Sequence, residues 1–194
     1  SGGTVPGSAD NVCITTAGIA VTYSSGGTTT VNSLHSAGTL SVSNGTIFVS
    51  TTSDTNGLSV GSLGALRGPI SIASLTLSGG TVSNGTLTGP SSTWTGGQFA
   101  GVVASGATFT LSGSALKTVG FLGFQNNGTV IWSGGDITAD SGVVNNGLFE
   151  VRTDNLISST VAATFSNAGT FLVNKPVASF SNQTQIGVFL AFNN

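Results

Sequence analysis

Phe124-Gln-Asn126-Asn-Gly128-Thr-Val130-Ile-Trp132 is followed by Val143-Val-Asn145-Asn-Gly147-Leu-Phe149-Glu-Val151, and then by Phe165-Ser-Asn167-Ala-Gly169-Thr-Phe171-Leu-Val173. One unit is written three times: an apolar residue, Asn two places on, Gly two further, then apolar residues in alternation. The glycines fall at spacings of 19 and 22 residues. A recurrence of that length marks a stacked architecture, in which no unit can bury its apolar face alone. Alternation such as Val130-x-Trp132 has the period of a strand, and Asn-Gly marks the turn before it. A coil of short strands and tight turns is too short for a helix-containing repeat. The spacing predicts an all-β chain, a right-handed parallel β-helix of about nine or ten rungs, forming a rod about 45 Å long.

Stacking assigns roles to the repeated residues. The apolar positions pile up inside. Asn126, Asn145, Asn167 and Asn182, with Asn194 as a further candidate, are placed to hydrogen-bond up and down the pile as a ladder. Glycine is expected to supply positive φ at the corners. A second register aligns Leu77-Ser-Gly-Gly80, Trp94-Thr-Gly-Gly97, Leu111-Ser-Gly-Ser114 and Trp132-Ser-Gly-Gly135. A position that takes Leu and Trp in turn is read as an interior stack. The expected core is therefore Leu77, Trp94, Leu111, Trp132, Phe124, Phe165 and Phe180, with Val82, Phe99, Leu116 and Ile137 on the next inward strand. Residues 50–70 are the least regular and read as an inserted loop or a distorted rung within a single domain spanning 1–194.

Composition narrows the function classes. Charged residues make up 5 % of the chain, the net charge is −2 and mean hydropathy is +0.35, which is not the profile of a disordered chain. Four basic residues leave no footprint for nucleic acid, and no apolar run is long enough to span a membrane as a helix. The chain has no Met and no charged-then-apolar opening, so no leader is expected within it. A single Cys13 excludes an intrachain disulfide framework and points either to an intermolecular bond or to a covered thiol. Phe192-Asn193-Asn194 opens another unit without finishing it. It is expected either to belong to a longer chain or to be completed by another molecule, with self-association through the terminal rungs.

Signals for chemistry are sparse. Gly57-Leu-Ser59-Val-Gly61 matches a nucleophile elbow, but that elbow needs a following helix and a later His, and the only histidine, His35, comes earlier. His35 has no neighbouring ligand residues in sequence for a metal site and reads as an exposed or turn residue. Asp136 and Asp140 could hold calcium at a rung corner or pair for sugar cleavage, although the chain has too few charges for a polysaccharide-cleaving cluster. No cofactor is expected. If Leu77, Trp94 and Leu111 point inward, then Thr76 and Ser78, Thr93 and Thr95, and Thr110 and Ser112 form a two-column hydroxyl array outside. That array is either a face for ice or carbohydrate, or strand threonine turned to solvent. Asn44, Asn84, Asn127 and Asn182 head glycosylation sequons that the turns themselves also favour.

Gly3-x-x-Pro6-Gly-Ser-Ala-Asp10-Asn11-Val12, the later Val31-x-Ser-Leu34 and the repeated Asn-x-Gly-Thr units resemble the β-solenoid repeats of large bacterial surface and secreted proteins. These include autotransporter passengers and filamentous-haemagglutinin-like adhesins. The resemblance covers nearly all of the chain outside 50–70 and transfers no catalytic residues. It implies a secreted or cell-surface, elongated, non-enzymatic module for adhesion or fibre building, with a glycan or other cell-surface ligand. A polysaccharide-active enzyme is the third reading.

Overall fold

A computed structural model of the chain describes residues 5–175, 185–187 and 189–194. Every strand pairing among these residues is parallel, and no helix occurs among them. The chain winds through about nine coils, each contributing one strand segment to each of three faces. The first face stacks 11–14, 33–36, 53–55, 70–72, 85–87, 101–103, 124–126, 143–145, 163–167 and 190–193. The second stacks 20–23, 39–42, 57–60, 75–77, 92–94, 108–111, 129–132, 148–151 and 170–173. The third runs from 28–31 to 185–186. A parallel stack buries one side of every strand, and this selects the period-2 alternation of apolar and small polar residues.

The three quoted units lie one above another. Phe124 pairs with Val143 and Val143 with Phe165, while Val130 pairs with Phe149 and Phe149 with Phe171. Leu77, Trp94, Leu111 and Trp132 are completely buried in one column of the second face. Aromatic rings fill the centre of the rod. Trp94 stacks on Phe109 with ring centroids 5.7 Å apart, and Phe165 stacks on Phe192 at 5.3 Å. Each such pair contributes about 0.5–1.5 kcal/mol beyond the area it buries. The Trp-x-Gly-Gly motif has a further basis. The indole N–H of Trp132 donates to the Gly135 carbonyl at 2.8 Å, and that of Trp94 to Gly97 at 3.3 Å, so the buried indole is satisfied by its own turn.

The ladder is made of side-chain amides. Asn126 donates to Asn145, Asn145 to Asn167, and Asn167 to Asn194. Asn194 thus occupies the position above Asn167. Asn182 and Phe180 lie outside the described residues.

Three expectations change. The glycine of the quoted unit does not serve a left-handed turn: Gly128, Gly147 and Gly169 are absent from the positive-φ positions. A Cβ on Gly147 would instead come within 2.1 Å of the Gly128 carbonyl oxygen, and one on Gly169 within 2.2 Å of that of Gly147. Close approach of successive coils excludes any side chain there.

Leu116 is not inward; it is 53 % exposed. Phe99 pairs with Val119, and Ile137 pairs with Lys117. Three residues added between Leu111 and the third face shift the register, and Lys117 occupies the interior column.

Residues 50–70 are not a loop. They lie largely within the strand Ser53–Ile72, paired along both edges. The irregularity is confined to register shifts at the corners, which let one strand bend from face to face.

Candidate functional site

The second face is the most regular surface of the rod. Its outward positions form three columns. The middle column runs Thr22, Ser41, Ser59, Thr76, Thr93, Thr110, Ile131 and Glu150. On one side stand Thr39, Gly57, Ser74, Ser91, Thr108 and Thr129, and on the other Ser43, Gly61, Ser78, Thr95, Ser112 and Ser133. Across coils two to seven, all but Gly57, Gly61 and Ile131 carry a hydroxyl, and none of these side chains is buried. The array is therefore wider by one column, and longer, than the three rungs the sequence alone brings into register. With strands about 4.8 Å apart and alternate residues about 6.7 Å apart, the hydroxyls form a fixed two-dimensional lattice.

The columns differ in how their hydroxyls are used. Ser43, Ser78, Thr95 and Ser133 donate to backbone carbonyls of the coil beneath, at 3.0–3.4 Å. Those of Thr22, Ser41, Ser59, Thr76, Thr93 and Thr110 have no partner among the described residues and are left to solvent or a ligand. Gly57 lines a depression of ≈ 250 Å³ beside Thr39, Ser59 and Thr76. The lattice stops at coil eight, where Glu150 and Arg152 occupy the middle and outer columns and pair at 2.8 Å. Arg152 and Asn174 both donate to the Glu150 carboxylate and hold it below the ordinary range.

The carboxylates considered for calcium or sugar cleavage bind protein groups. Asp136 accepts from the Asn155 amide and the Leu156 N–H, at 3.1 and 2.9 Å. Asp140 accepts from the Thr160 N–H and from the hydroxyls of Ser159 and Thr160, at 2.6–2.9 Å, and these bonds lower its pKa. Each carboxylate ties its own coil to the next. Among the described residues no group of three or more His, Cys, Asp or Glu side chains is placed to hold a metal ion. Asp140 also borders an open groove of ≈ 550 Å³ on the first face, floored by Val102, Gln125 and Val144.

Gly57–Gly61 lies inside a strand, with Ser59 paired between Ser41 and Thr76, so the helix that a nucleophile elbow requires is not there. His35 is not a turn residue. It lies in the strand Ser33–Val49, paired with Cys13 on one side and Asp54 on the other. Its Nδ1 is 2.8 Å from the Asp54 carboxylate. The chain's one thiol, its one imidazole and a carboxylate thus form a single outward column. Residue spacing concealed this, because the coils separating the three differ in length.

No family model matches this chain, and no match was found among curated proteins or solved structures.

Proposed function

We propose that this chain is an extracellular structural and adhesive module, a rigid rod that presents its second face to a surface or glycan. The observation that carries this reading is the hydroxyl lattice, with six middle-column hydroxyls that have no partner among the described residues. A single hydroxyl exchanged from water to a ligand gains little. Many held at fixed spacing act together, because the ordering has already been done by the backbone pairings. The likeness of the repeats to bacterial surface solenoids supports the same assignment. End-to-end association through the terminal rungs belongs to it, since among the described residues 11–14 and 190–193 each pair along one edge, and an open strand edge recruits another strand.

Co-sedimentation with insoluble polysaccharides and binding to a glycan array test the adhesive face, using the native chain beside Thr76→Lys and Thr93→Lys. Retention that both substitutions abolish is expected. Binding indifferent to them, or no binding to any surface, would remove the reading. Electron microscopy at high concentration tests end-to-end association, which uniformly dispersed short rods would contradict.

The same lattice favours a second reading, ice. An uncharged array with no aromatic side chain among its hydroxyls lacks the stacking platform used for sugars, and it would order water at fixed intervals. Thermal hysteresis in the native chain, lost in Thr93→Lys, would select ice over carbohydrate.

A further inference from the structure

One outward column of the third face changes character along the rod. It runs Thr30, Phe48, Arg67, Ser83 and Ala100 on five successive coils, in register. Gly120 closes it above Ala100: a Cβ there would lie 2.9 Å from that of Ala100 and 3.2 Å from the stem of Gln98. Coil six then departs from the coil beneath it. Four residues separate Val119 from Phe124, where one separates Phe99 from Gly101. The excess turns outward and leaves Phe121 92 % exposed, beside a depression of ≈ 100 Å³ lined by Arg67, Ser83, Gln98 and Gly120. The small side chains above Arg67 make this hollow. Its volume is that of about three waters, which suits a carboxylate or a sulfate group.

Arg67 differs from the other three basic residues. Lys117 is engaged by backbone carbonyls, Arg152 by Glu150 and Lys175 by Asp154. The Arg67 guanidinium has no partner among the described residues, and neither has the Ser83 hydroxyl. The Gln98 side-chain oxygen accepts from Thr81 at 3.5 Å, while its amide N–H groups have no partner among the described residues. Three sets of donors thus border one hollow. No acidic residue occupies an outward position of this face on coils two to six. Phe48, 42 % exposed, flanks Arg67 on the coil below.

We propose that this hollow binds an anionic glycan. The guanidinium takes the carboxylate or sulfate through paired N–H bonds, and Ser83 and Gln98 donate to its remaining oxygens. The sugar ring that bears the anion lies against Phe121, the stacking platform that the hydroxyl lattice lacks. One cation is too little for a nucleic-acid backbone or an anionic membrane, each of which is held by several. The site rests on none of the observations behind the hydroxyl lattice, and either stands without the other.

The test is calorimetric titration of the intact chain with oligogalacturonate, with its neutral methyl ester and with a sulfated galactan oligomer. At least one anionic oligomer is expected to bind, and the ester about tenfold more weakly or not at all. The preferred oligomer identifies the anion. Arg67→Gln is expected to lose about tenfold in affinity. Arg67→Lys should recover part of that, because the charge returns without the fork, and Phe121→Ala should lose about threefold. Binding should weaken as salt rises from about 0.01 M to about 1 M. Both substituted side chains are exposed, and circular dichroism reports whether each variant keeps the rod. In the native chain, ligand-induced amide NMR shifts centred on Arg67, Ser83, Gln98 and Phe121 locate the site without any variant. Failure of both anionic oligomers to bind, equal binding of acid and ester, undiminished binding by Arg67→Gln, or shifts centred elsewhere on the rod would each overturn the proposal.

Discussion

Asn126 donates one amide proton to the side-chain oxygen of Asn145, 2.7 Å away, and another to the Leu148 carbonyl at 2.9 Å. Asn145 repeats the pattern one coil up, on Asn167 and Thr170. Both residues are fully buried, so the bond between them lies where water does not replace it. Asn145→Ala leaves the Asn126 donor and the Thr170 carbonyl without partners and is expected to cost about 3 kcal/mol. The loss should be local, because a solenoid couples mainly nearest neighbours. Hydrogen exchange should show faster opening of 124–132 and 163–173 while 75–103 stays protected.

Gly147→Ala tests the second structural use of the repeat. The added methyl would sit 2.1 Å from the Gly128 carbonyl oxygen, a backbone atom that cannot swing aside. Forcing two coils apart at this point is expected to destabilise by about 2–4 kcal/mol. A lowered denaturation midpoint would be the readout. Gly27→Ala, where a Cβ meets nothing within 4 Å, should leave the midpoint nearly unchanged.

Lys117 is completely buried, its ammonium donating to the carbonyls of Gly134, Ala115 and Gly113 at 2.8, 3.1 and 3.5 Å. Gly97, beneath it in the same column, leaves room for the chain. Loss of hydration lowers the pKa of the amine below the ordinary 10.5, partly opposed by the Asp136 charge. Between that lowered native value and 10.5 the unfolded chain binds more protons than the folded one, so stability rises with pH across the window and is level below it. Lys117→Met should abolish this alkaline rise. Denaturation midpoints measured from neutral pH to about pH 10.5 in both proteins would show it; a rise of the same size in the variant would count against this account.

Asp140 gives the acid counterpart. The Thr160 N–H, then the Ser159 and Thr160 hydroxyls, hold its pKa below the ordinary 3.8. The folded state binds that proton more weakly than the unfolded state. Its contribution is therefore full above 3.8 and disappears as pH falls through the lowered native value. Asp140→Asn should be less stable than the native chain near neutrality, and the difference should shrink as the pH drops. Urea midpoints between about pH 2 and pH 6 provide the measurement.

Much of this molecule was legible in its residues. A repeat of about 20 residues with period-2 alternation admits few structures other than a stack of parallel coils, because each unit must bury an apolar face it cannot cover alone. The column Phe124, Val143, Phe165 and the ladder Asn126, Asn145, Asn167 follow from that single condition. Register between unequal coils did not follow. Moving the inward position from Leu116 to Lys117 and Val119 required knowing how many residues each corner absorbs, and corner length leaves no periodic trace. The placement of Cys13, His35 and Asp54 in one column was hidden for the same reason. Local sequence determined which side chains face in along each strand. Backbone pairing between coils decided which of them become neighbours, because contact across a solenoid depends on the summed length of a whole turn.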